Sequence, residues 1–351
     1  MQKVGGWLAV ILTFTLGLPG CGQNQQTHHA RDRVFGTVVD IGIYGESEER
    51  AGVLSALVLD EFRRLHSKFH AWQPSALTSL NDSIARGVPY QADAEMVALL
   101  RAAQAVANSS DDTFNPAIGH LIRLWGFQSS NITPQRPSAA EVKRLVVSNP
   151  RMADLQFDGT TITSRNSMVM VDLGGFAKGY ALDRAAQILR AEHVSAALIN
   201  VGGNILAIGS PGARPWRVGV QDPRSDGMVA SVFLHDNEAI GTSGDYQRYF
   251  SADGKRRPHI IDPKSGEPID LVASVTIVTS GGNDVGTRSD GNTKPLFIVG
   301  PEGWKAMAKR LGLSEVMLID ASGNVEITPA MQTRMIGNKP GRHGPDQLPA
   351  R

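Results

Sequence analysis

"VDLGGFAKGYALDRA", residues 171–185, changes periodicity midway. It opens as an apolar strand, breaks at Gly174-Gly175, and resumes with helical spacing at Leu182, Ala185, Ala186 and Leu189. Lys178 and Gly179 stand where the helix begins. Glycines let backbone N–H groups approach a ligand. A helix N-terminus favours an anion, and a first-turn lysine adds a point charge. The turn therefore reads either as tight packing beside a solvated lysine or as an anion cradle. It is neither GxxxxGK[ST] nor GxGxxG.

Around this turn, residues 35–44 ("FGTVVDIGIY") read as strand, and helices are expected over 47–66, 94–108 and 139–146. Asp93 is the expected N-cap of the second, and Ser138 with Glu141 forms a capping box on the third. "AWQPSALTSLND" (71–82) reads as loop, and "DDTFNPAIGHLIRLWGF" (111–127) as loop into short helix. Strands are expected at 160–164, 168–171, 197–201, 217–220, 229–234, 238–240, 260–261, 274–279 and 296–299, with helices at 176–192 and 301–311. "EVMLIDASGNVEIT" reads as a hairpin turning at Ser322-Gly323. Strands and helices thus mix in one α/β (α+β) chain.

The 351 residues suffice for a full core, with 41% hydrophobic and 20% charged residues. A net charge of +1 supplies no broad field for nucleic acid. The first 21 residues have a signal-peptide layout: Lys3, an apolar run over 7–18, then Leu18-Pro19-Gly20-Cys21. Cys21 is the only cysteine, so it has no internal disulfide partner. It falls where a bacterial lipoprotein is cleaved and lipidated, which would tether the chain to a membrane. Gly22, rather than aspartate, follows it. The expected organisation is signal peptide 1–21, flexible polar tether 22–34, folded domain 35–336 and disordered Gly/Pro-rich tail 337–351.

Three further clusters carry chemistry. "INVGGNILAIG" (199–209) ends a strand in Gly202-Gly203-Asn204. "GTSGDYQRYFSADGKRRPHIIDPKSGEPI" (241–269) gathers Thr242, Ser243, Asp245, Tyr246, Arg248, His259 and Asp262. Hydroxyls, carboxylates and a histidine that close suggest acid–base work. "SDGNTKPLFIVGPEGW" (289–304) sets Asp290 before an apolar run, where an aspartate is ordinarily a cap.

In this order, these pieces resemble the ApbE flavin transferases. "FHAWQPSALTSLN", "TFNPAIGHLIRLWGF", "DLGGFAKGYALDRA", "NVGGN", "PWRVGVQDP", "TSGDYQRYF" and "HIIDPKSGEP" carry the likeness over 35–335. The resemblance implies a T-fold-related, two-lobed fold with FAD between the lobes. It implies cleavage of FAD at its pyrophosphate, esterification of FMN to a Thr or Ser of a D-x-x-[ST]-G-A-[ST]-like motif, and release of AMP. The acceptor would be a subunit of a membrane redox complex on the periplasmic side of a bacterial membrane. Carried over residue by residue, catalysis falls to His259, Asp262 and Lys178. Flavin binding falls to Trp72, Asn115, Gly174, Gly175, Lys178, Gly203, Thr242, Ser243, Asp245 and His259. Mg²⁺ would be held by Asp290, the Ala177 carbonyl and position 294.

Three departures bear on that metal. Position 294 is lysine where the family has threonine; Thr293 is one residue off. Asn115 replaces an aspartate and Ala76 a glutamate. All three changes make the site more positive, and a protonated lysine cannot ligate Mg²⁺. Two other readings of the same residues are an FAD pyrophosphatase and a lipid-anchored flavin-binding protein without turnover.

Overall fold

The computed structural model describes residues 26–129, 132, 134–252 and 255–336. The expected signal segment 1–21 with Cys21, and the tail 337–351, lie outside the described residues. In chain order the elements are β1 (Thr27–Val34), β2 (Thr37–Tyr44), α1 (Glu48–Lys68), α2 (Ala76–Ala85), β3 (Tyr90–Gln91), α3 (Ala94–Ser109), α4 (Gly119–Leu124) and α5 (Ala139–Ser148). There follow β4 (Leu155–Asp158), β5 (Thr161–Ser164), α6 (Ala177–Ala191), β6 (Ala196–Val201), β7 (Asn204–Ile208), β8 (Trp216–Gln221), β9 (Met228–Leu234) and β10 (Glu238–Gly244). The chain closes with β11 (Tyr249–Ala252), β12 (Lys255–Pro258), β13 (Val272–Ser280), α7 (Val285–Gly291), α8 (Thr293–Arg310), β14 (Val316–Asp320), β15 (Val325–Ile327), α9 (Pro329–Arg334) and β16 (Met335–Ile336).

Eight strands form an antiparallel sheet in the order β1-β2-β6-β7-β10-β13-β14-β15. Successive side chains point to opposite faces, so each face builds its own core. Ile41, Ile43, Ile199 and Leu206 meet Leu54, Phe62 and Leu182 of α1 and α6 on one side. Ala196, Ala207, Ile240 and Met317 meet Val218, Val232 and Leu234 of the β16-β9-β8 sheet on the other. Covering both faces explains why eight of the nine residues of β13 are buried. A smaller core of Trp125, Phe127, Leu145 and Phe250 joins α4 and α5 to the β11-β12 hairpin.

The expected helix starts form as read. The Ser47 side chain accepts from Arg50 N, Asp93 from Met96 N, and Ser138 and Glu141 close a capping box. Several expectations need correction. Within the supposed tether, residues 27–34 are an edge strand paired along their whole length with β2. Its polar side chains suit an edge: His29 and Arg31 bond Asp40, and Asp32 pairs with Arg63. The supposed loop 71–82 ends early: from Ala76 it is helix α2, which Ser75 and Thr78 cap reciprocally. The supposed strand 296–299 is the first part of α8, which Gly300 breaks at φ 69° just before Pro301. A four-residue apolar run does not discriminate strand from buried helix. Residues 168–171 contribute one parallel bridge, Met170 to Ile118, and 260–261 one bridge, Ile261 to Pro268. Among the described residues no helix is long and apolar enough to cross a membrane.

Candidate active site

Two helices packed at their N-termini organise the site. Gly179 of α6 lies against the Gly286 carbonyl of α7, so closely that a side chain at either glycine would collide. Across this contact each helix caps the other. Asp183 of α6 accepts from Gly286 N (2.6 Å) and Thr287 N (2.8 Å). Asp290 of α7 accepts from Gly179 N (3.0 Å), serving an N-terminus that Phe176 has no side-chain acceptor to cap. The Lys294 ammonium ion-pairs with Asp290 Oδ1 and also donates to the Asp290 carbonyl (2.7 Å).

Beside these N-termini opens a cavity of about 580 Å³, between the main sheet with its helices and the small core of α4, α5 and the hairpin. Trp72, Asn115, Gly174, Gly175, Ala177, Lys178, Thr242, Ser243, His259 and Lys294 all line it, so one cavity gathers most of the residues singled out by sequence. A Cβ added at Gly175 would sit 3.4 Å from both Lys294 Cε and Phe114 Cε2, at the limit of ordinary van der Waals contact. The lysine stem therefore packs against the diglycine turn.

His259 sits against Phe127, and its Nδ1 lies 3.1 Å from the Arg248 carbonyl. A carbonyl only accepts, so Nδ1 carries the proton. Burial, then the charges of Arg248 and Lys178, push the imidazole pKa down to about 3. The ring is thus neutral, with a bare Nε2. Burial lowers Arg248 as well, and its guanidinium donates to the carbonyls of Phe127 and Ser129. Burial of Lys294 brings its pKa to about 8 although Asp290 raises it, so it is charged at neutral pH.

Four expected residues do not line the cavity. Asp290 is fully buried behind Lys294. Asp245 is buried in ion pairs with Arg224 (2.7 Å) and Arg256 (3.2 Å). Asp262 spends its carboxylate on Lys264 N and Ser265 N, turning its own loop rather than orienting His259. Gly203 yields its place to Gly202, whose φ of 60° and contact with Thr37 demand glycine. Asn115 lines the wall, but it bonds Pro150 O and Ala117 N, holding the loop. Asp172 was not singled out. It lines the cavity, accepts from Gly174 N (2.6 Å), and bonds the Trp72 side chain, while burial raises its pKa. Its place just before the Gly-Gly break was the available signal.

The Mg²⁺ implied by resemblance does not fit these donors. Mg²⁺ takes near-octahedral oxygens. Here Asp290 Oδ1 holds an ammonium and Oδ2 a backbone N–H. Thr293 is fully buried, its hydroxyl bonded to Asp290 O and Ser243 Oγ, each at 2.7 Å, and is not a replacement ligand. Among the described residues no group of three or more His, Cys, Asp or Glu could hold a metal.

A family profile described as "ApbE family" matches residues 35–318. A Rhodobacter capsulatus protein named FAD:protein FMN transferase is 37% identical over 302 residues, 86% of this chain. The match spans 57% of that relative's length. An Escherichia coli K12 protein of the same name is 27% identical, over 94% of this chain and 97% of its own. The crystal structure of the ApbE protein of Thermotoga maritima superposes with a TM-score of 0.81 at 29% identity, covering 89% of this chain and 100% of that one. That of the Pseudomonas stutzeri flavinyl transferase ApbE, in apo form, gives 0.76 at 26%, covering 88% and 97%.

Proposed function

Because the chain belongs to the ApbE family, we infer that it is an FAD:protein FMN transferase, with FAD as donor and a protein hydroxyl as acceptor. The observation carrying this reading is that one cavity is lined both by His259, whose Nδ1 donates to the Arg248 carbonyl, and by Lys178 in the first turn of α6. Trp72, Phe114 and Phe127 offer aromatic wall to the flavin ring. Lys178, Lys294 and Arg248 offer charge to the diphosphate, beside the N-terminus of α6.

The reaction then follows from positioning and charge. The acceptor hydroxyl gives its proton to His259 Nε2, and its oxygen forms a bond to the FMN phosphorus. The P–O bond to the AMP phosphate breaks, and AMP leaves carrying the electron pair. Nearby ammonium groups stabilise the charge gathering on the bridging oxygen. The free histidine is a weak base; the two negative charges of bound diphosphate oppose the local cations and raise its basicity.

The test mixes the full chain in detergent with FAD and a protein carrying the acceptor motif, then reads covalent flavin fluorescence on a denaturing gel. His259→Ala is expected to lower labelling by about 10²–10⁴-fold, the usual contribution of a general base. AMP release without labelling would indicate a pyrophosphatase, and bound FAD without AMP a flavin-binding protein.

The acceptor we assign is a subunit of a membrane redox complex. We place the chain on the periplasmic side of a bacterial membrane, anchored through lipidated Cys21, on the strength of the signal-peptide layout. Cys21→Ser should move the protein from the membrane to the soluble fraction; unchanged membrane retention would contradict the anchor.

A further inference from the structure

We propose that the Lys294 ammonium stands in for a divalent cation at Asp290, so that FAD binding and FMN transfer by this chain need no Mg²⁺. This rests on the transferase reading above and deepens it.

Four observations carry it. First, both Asp290 oxygens are engaged, Oδ1 by Lys294 and Oδ2 by Gly179 N, in a fully buried position. A metal entering there would have to expel a bonded cation, and two cations cannot share one carboxylate without strong repulsion. Second, the neighbouring hydroxyl of Thr293 is buried and bonded within the protein. Third, Lys294 is no bystander that points away. Its side chain lines the cavity, and its stem lies along the Gly174-Gly175 turn where the anion is expected. Fourth, its ammonium has three donors, and the two bonds to Asp290 leave one for a ligand oxygen.

Charge bookkeeping sets the scale. A divalent ion on Asp290 leaves one net positive charge, whereas Lys294 on Asp290 leaves none. Lys178 and Arg248, on the same cavity, then supply the remaining positive charge. In the transfer step Lys294 donates a hydrogen bond to the leaving oxygen and keeps its proton; the acceptor proton still goes to His259, and AMP departs as written above.

The experiment uses the full chain in detergent, FAD and the acceptor protein, with EDTA or with millimolar Mg²⁺. Two readouts are followed: the FAD Kd from flavin fluorescence and the rate of covalent labelling. For the wild type both should agree within about twofold in the two conditions, while Lys294→Thr should lose about tenfold or more in EDTA and regain it with Mg²⁺. A wild type that needs Mg²⁺ for either readout overturns the proposal, and that comparison requires no variant to fold. A Lys294→Thr protein that folds and remains indifferent to Mg²⁺ also overturns it. Should nothing be labelled in any condition, the transferase reading fails, yet the FAD Kd still decides the metal question. A Kd unmoved by Mg²⁺ supports the proposal, and one that tightens with Mg²⁺ refutes it.

Discussion

Asp183 and Asp290 hold mirror-image posts. Each is a buried aspartate on one of two abutting helices, and each caps the N-terminus of the other. Their chemistry nevertheless diverges. Asp183 is bonded by backbone N–H groups and the Thr287 hydroxyl, and burial, with a smaller push from the Asp284 carboxylate, drives its pKa up to about 6. At Asp290 burial pushes the same way, but Lys294 and Lys178 outweigh it and hold the carboxyl below its ordinary range. A capping carboxylate is a structural part until a cation shares it and the pair borders a cavity. Two lysines make that difference, Lys294 in direct contact and Lys178 nearby.

Breaking the Asp290 post should have the largest effect. Asp290→Ala strands a buried ammonium and frees Gly179 N–H, so urea unfolding should show a loss of about 3–5 kcal/mol. FAD affinity should fall with it. Asp183→Ala removes acceptors for two backbone donors and should cost about 2–3 kcal/mol, with FAD affinity unchanged within about twofold. An FAD affinity that drops equally for both variants would erase the distinction. The smallest effect is in pH. Asp183 has a folded pKa above its unfolded value, so its contribution is full below about pH 4 and is lost as pH rises through about 6. Between pH 4.5 and 7 this amounts to about 2 kcal/mol of falling stability, seen as a pH slope that Asp183→Asn flattens. An equal slope in wild type and variant would show that the carboxyl is ionised throughout.

The same contrast explains what was readable in the chain. Asp93 and the Ser138/Glu141 box announce helix starts locally, and α3 and α5 form there. A cap delivered from another helix leaves no local mark: Asp290 lies 111 residues from Gly179. Helix α2 was missed because threonine, not glutamate, completes its capping box. Strand β1 was missed because an edge strand with solvent on one side can be as polar as a tether. At the site, motif order brought together Lys178, His259 and Lys294, which the fold places on one cavity. It also drew in Asp245 and Asp262, which share the motif but serve Arg224, Arg256 and a loop backbone. Proximity in sequence to a reactive residue does not separate a group that faces the ligand from one that builds the loop behind it.

The most direct test of the account is stoichiometry. AMP released from FAD and FMN covalently attached to the acceptor should be counted in the same reaction. The transferase predicts one AMP for each FMN attached, with both lost together in His259→Ala. AMP accumulating well beyond the attached FMN would mean that water, not a protein hydroxyl, is the acceptor, and would contradict the function assigned here.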